Sequence, residues 1–151
     1  MAVTIAPSVE ASQAIVDRIN ASTTYALDVV AQRLEVIVDH LEEVNGLRVD
    51  VVHEEEEQLE ETLDVEDRTS HEIRIYVRSK VPNRTPDEID PLKLLVRQIF
   101  LQVNDCDSSD GRVKVWQADI EPRQAADKEL LRQHGIFVVA IMLRVEVEPS
   151  V

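Results

Sequence analysis

Four histidines, one cysteine and thirty carboxylates are the side chains of this sequence that could carry chemistry. Their spacing assigns them none. His40, His53, His71 and His134 lie far apart, with no His-x-x-x-His and no Cys–His spacing suited to zinc. Three glycines in the whole chain are too few for a phosphate-cradling loop. Residues 105–116 begin like a calcium loop. Its sixth position is Asp110 instead of glycine and its twelfth is Trp116 instead of glutamate, so a plain turn is expected there. Cys106 lies between Asp105 and Asp107, whose charges disfavour a thiolate, which argues against a catalytic thiol. Among thirty carboxylates, a chance pair says nothing about acid–base catalysis. The sequence therefore predicts no catalytic residue, no metal, no cofactor and no enzyme.

The carboxylates are informative by position. Residues 53–67 hold nine of them, Glu54, Glu55, Glu56, Glu57, Glu60, Glu61, Asp64, Glu66 and Asp67, with no Lys or Arg among them. This stretch separates two strand-like runs, 47–52 and 71–81, and reads as an acidic loop over residues 53–69. Hairpin loops are usually about two to five residues long, and one this long is a working part or a disordered one. Like charges repel and avoid a dry core, so the loop is expected to be exposed. The plainer reading is a solvated surface loop.

Composition narrows the class. A formal charge of −14 argues against a protein held on nucleic acid or on an anionic membrane. No apolar run reaches the roughly 18 residues of a membrane span. The first ten residues lack the charged region of a signal peptide. A single cysteine excludes an internal disulfide framework and fits a reducing compartment. Aromatic residues are only 3%, so the core must be built from Val, Leu and Ile. At 151 residues, one domain with a full core is expected.

The elements that must position these residues follow from periodicity. Ser8 is placed to cap a helix running to about residue 21, with Val9, Ser12, Ile15, Val16 and Ile19 as its stripe. Residues 25–38 are ambiguous. Tyr25, Leu27, Val29 and Ala31 alternate, favouring a strand over about 25–33 and then a short helix capped by Asp39. Leu27, Val30, Leu34 and Ile37 step by three and four, so one long helix is the rival. Strands are predicted at 47–52, 71–81, 112–120 and 136–148, the last central and covered on both faces. In 71–81, Ile73, Ile75 and Val77 alternate with Arg74, Tyr76 and Arg78, which predicts one face in the core and one in water. The fold class is α+β, one domain with a mainly antiparallel sheet flanked by two or three helices.

A helix over residues 90–103, capped by Asp90 with Pro91 at its first position, carries two seams. Leu92, Leu95, Val96, Ile99 and Val103 share one face, which must be its core stripe. Leu94 and Leu101 fall on the opposite side. They are either two scattered surface leucines or a seam covered by another subunit.

The order of elements, together with residues 39–52 (DHLEEVNGLRVDVV), the strand at 71–81, the helix at 90–103 and a long last strand with Phe137 near its start, resembles the tail terminator, or tail completion, proteins of long-tailed bacteriophages. The resemblance spans almost the whole chain and rests on pattern and order. The run Glu54–Glu57 and the length of residues 121–134 depart from it. It implies a virion protein of the phage neck, assembled in the host cytoplasm. It also implies a homohexameric ring that caps the tail tube and joins it to the head-side connector, with the genome passing through. The acidic loop would then lie at the rim or lumen, where repelling phosphates suits a conduit. A head-completion or adaptor protein of the same neck is an alternative. Another is an acidic cytoplasmic module that binds a basic protein.

Overall fold

Alternation in three long segments builds most of one five-stranded sheet. The structure is a computed structural model and describes residues 5–36, 46–58, 68–108, 110–121 and 131–148. Within these, the chain runs α1 (Pro7–Asn20), β1 (Ala31–Leu34), β2 (Arg48–Gln58), β3 (Thr69–Lys80), α2 (Pro86–Val103), β4 (Val113–Ile120) and β5 (Ile136–Val147), and residues 131–134 are also helical. The strand order is β1-β2-β3-β5-β4. The pairs β2–β3, β3–β5 and β5–β4 are antiparallel, and β1–β2 is parallel. The fold is therefore α+β, with a mixed but mainly antiparallel sheet. β5 is an interior strand, paired with β3 on one side and β4 on the other, and β3 is the middle strand of the five.

One face of the sheet carries Val49, Val51, Ile73, Ile75, Val77, Val115, Ile141, Leu143 and Val145, which join Ile15 and Ile19 of α1 and Leu95 and Ile99 of α2 in a single apolar core. α1 touches all five strands. Each helix is also tied to the other, since Arg18 Nε donates to the Gln102 carbonyl and Gln102 Nε2 to the Arg18 carbonyl.

The helix starts differ from the sequence expectation. α1 begins at Pro7 with Ala6 in the cap position, and Ser8 lies inside the helix, its carbonyl accepting from Ser12 Oγ. α2 begins at Pro86 after Thr85, so Asp90 and Pro91 are interior residues. The extra turn packs Ile89 against the core, a gain that outweighs the local preference of Asp90 for a cap. The expected strand at 25–33 shrinks to β1, and residues 25–36 contain no helix. Upstream of β1 the backbone bonds to the helix layer instead of a strand. Ala26 N–H donates to Gln98 Oε1, Tyr25 Oη to the Ile19 carbonyl, and Asn20 brackets Ala31 through both its N–H and its C=O. Tyr25, Leu27 and Val29 are partly buried against the core, which accounts for their alternation. Val30 is 83% exposed, which excludes the helical seam. The short helix expected after residue 38 lies outside the described residues.

Candidate functional site

The acidic stretch is in part a strand. β2 runs on to Gln58, and its residues Glu55, Glu56 and Glu57 pair with Glu72, His71 and Ser70 of β3. Glu54, Glu55, Glu56 and Glu57 are all exposed and project from the end of the sheet, so the connection to β3 is shorter than the expected loop at 53–69. Glu60, Glu61, Asp64, Glu66 and Asp67 lie outside the described residues.

A β-bulge between His53 and Glu55 sets what this end presents. Val49, Val51 and His53 lie on the helix side of the sheet. The inserted residue, Glu54, accepts a bond from Tyr76 Oη at 3.1 Å. Beyond it the alternation is reversed. Glu56 now stands opposite His71 on the helix side, while Glu55 and Glu57 join Ser70, Glu72 and Arg144 around a small cleft on the other face.

His71 has no exposure to solvent. Its Nδ1 lies 2.8 Å from His53 Nε2, its Nε2 lies 2.7 Å from Thr69 Oγ1, and Glu56 Oε1 is 3.7 Å from Nδ1. The two rings meet edge to face at 5.1 Å. Burial, and then the neighbouring His53, push the His71 pKa down from 6.5 to about 4. The sequence held one sign of this pair: His71 continues the odd-numbered face of Ile73, Ile75 and Val77. His53 was hidden behind the apparent end of its strand at Val52.

The second face of the sheet is not simply wet. Asp50 is fully buried and Arg78 is 4% exposed, with Arg78 Nη2 2.5 Å from Asp50 Oδ2 and Gln32 Nε2 donating to Oδ1 at 2.8 Å. This overturns the expectation that Arg74, Tyr76 and Arg78 face water together. The two strands place Asp50 and Arg78 on a diagonal, close enough for the pair to form across β2 and β3. Further along, Glu72 joins Arg74 and Arg144, and Arg74 also pairs with Glu121.

On α2, Leu92, Leu95, Val96, Ile99 and Val103 are buried, as the periodicity requires, whereas Leu94 and Leu101 are 52% and 60% exposed. They lie on the face of α2 opposite its buried stripe. Trp116, 47% exposed, was not foreseen; a second bulge, between Val115 and Gln117, interrupts the alternation of β4 at this residue.

Of the other residues weighed for chemistry, His40 lies outside the described residues. Burial, more than the neighbouring Asp107 and Asp105, pushes the Cys106 thiol up. Asp110 accepts from Ser108 Oγ and from the Arg112 N–H, which closes the turn before β4 and holds its carboxyl below the usual range. Among the described residues, no three His, Cys, Asp or Glu side chains are arranged to hold a metal ion, and no helix is long and apolar enough to cross a membrane. Exposed among the described residues are Leu94 and Leu101 on α2 and Glu54–Glu57 at the end of β2. No protein-family model matches the chain, and no curated protein sequence is significantly similar to it.

Proposed function

We propose that this chain is a structural subunit of a bacteriophage neck, a tail terminator that assembles into a ring, caps the tail tube and meets the head-side connector. The observation that carries the reading is the leucine pair on α2. Leu94 and Leu101 lie seven residues apart on a helix whose opposite face already fills the core, in a chain of formal charge −14. A second copy covering them would remove apolar surface from water, at roughly 25 cal/mol per Å². The α+β domain with a central antiparallel pair and a flanking helix layer is compatible with such a subunit, and fold alone assigns no function.

The test is mass in solution. The purified chain should form a closed oligomer, and the double variant Leu94→Asp/Leu101→Asp should be a folded monomer by circular dichroism. A wild-type chain that stays monomeric at high concentration, or a double variant that still assembles, overturns the ring. The exposed Glu54–Glu57 run favours a second reading, an acidic module that binds a basic protein. That reading predicts a monomer or dimer that binds a cationic peptide with strong salt dependence.

A further inference from the structure

Two histidines that face each other can share only one hydrogen between the facing ring nitrogens. His53 Nε2 and His71 Nδ1 face each other at 2.8 Å at the point where β2 leaves the apolar core and becomes acidic. We propose that this pair is an acid-released fastener, which holds the ends of β2 and β3 together at neutral pH and lets the acidic strand end separate when both rings are protonated.

The proton count makes the argument. With both rings neutral, one ring donates a single N–H to the other, and the remaining His71 nitrogen exchanges a bond with Thr69 Oγ1. One added proton is tolerated, since a tautomer change keeps a donor opposite an acceptor. A second places two N–H groups and two like charges 2.8 Å apart, and the bond cannot survive. Among the described residues, the surrounding groups do little to compensate. Of these, Glu56 of β2 brings a carboxylate 3.7 Å from His71 Nδ1 and is itself half exposed. β5 places Val145 opposite His71. From β1 and its end, Arg33 and Glu35 reach the cleft beside His53 and lie 3.8 Å from each other. α1 brings Ser8 and Ser12 to that cleft, and its Glu10 is paired with Arg112 at 3.1 Å.

The direction follows from linkage. The folded pKa of His71 is lowered, so its contribution to the closed strand end is complete above about pH 6.5 and is lost as pH falls toward 4. Between pH 7.5 and 5, this favours opening by roughly thirtyfold.

Amide hydrogen exchange on the full chain, followed by NMR and corrected for the intrinsic effect of pH, reads this directly. Protection at residues 54–57 and 70–72 should fall by about thirtyfold between pH 7.5 and 5, while the amides of Ile75, Val77 and Ile141 change far less. In the same samples, ¹⁵N-histidine spectra should show His71 neutral at pH 5 in the closed form. His71→Gln, which can bond to both neighbours but does not titrate, should flatten the dependence to under threefold. If that variant does not fold, the wild-type measurements decide. A change of less than threefold at 54–57 and 70–72 overturns the proposal. So does a His71 ring that protonates near pH 6.5 with protection intact. The ring reading is unaffected by either result, since the oligomer test uses α2.

Discussion

Asp50 is a carboxylate with no exposure, held by Arg78 at 2.5 Å and by Gln32, with Arg48 Nε at 3.9 Å. Such a pair adds little net stability, because desolvating two ions costs about as much as their attraction returns. Its role is to fix alignment. The diagonal from Asp50 to Arg78 exists in only one β2–β3 register, and a slip of one residue would turn Arg78 toward the core. Arg78→Met should therefore destabilise the fold by about 3–5 kcal/mol in urea unfolding, since it strands a buried charge. Replacing both residues, Asp50→Val with Arg78→Met, should recover most of that loss. A single variant as stable as the parent would show that the carboxylate is hydrated. This pair was not legible in the sequence, because alternation assigns a residue to a face without saying what covers the face.

At the scale of elements, the α2 stripe was legible to the residue, since a period of 3.6 is set by backbone geometry. Leu95 and Ile99 are fully buried where the pattern placed them. Ile99→Ala should cost about 2–5 kcal/mol by unfolding midpoint, whereas Leu94→Ala, on the exposed face, should cost under about 0.5 kcal/mol in the monomer. Helix starts were not legible, because Pro86 and Pro91 both suit a first helical position and only the packing of Ile89 decides between them. The end of β2 was missed for another reason. Glu54–Glu57 have the side chains of a loop, but backbone pairing to Ser70, His71 and Glu72 does not require apolar side chains. The candidate site was thus half visible: the leucine pair could be read from spacing, and the histidine pair required the strand to continue. Residues 59–68 should accordingly be replaceable by a short turn. Joining Gln58 to Thr69 through a two-residue Asn-Gly turn, which keeps the observed Gln58↔Thr69 pair, should leave circular dichroism and unfolding midpoint close to those of the full chain. Removing residues 53–69, which takes away His53 and Thr69, should destabilise it clearly.

At the scale of the molecule, charge is segregated. Arg48, Arg74, Arg78 and Arg144 are engaged with carboxylates on the second face of the sheet, while the run Glu54–Glu57 projects into solvent from its end. The order β1-β2-β3-β5-β4 also places the last strand of the chain beside the central one. β3 is paired with β5 along its whole length, from Thr69↔Val147 to Lys80↔Ile136. That arrangement has a consequence in time. At roughly 5–20 residues per second of synthesis, the stretch from Lys80 to Val147 takes about 3–13 s to appear. For that interval β3 has β2 on one side and an unpaired edge, carrying Ile73, Ile75 and Val77, on the other. The sheet can close only after residue 147 has been made, and until then the charged side chains flanking that edge disfavour its pairing with neighbouring chains.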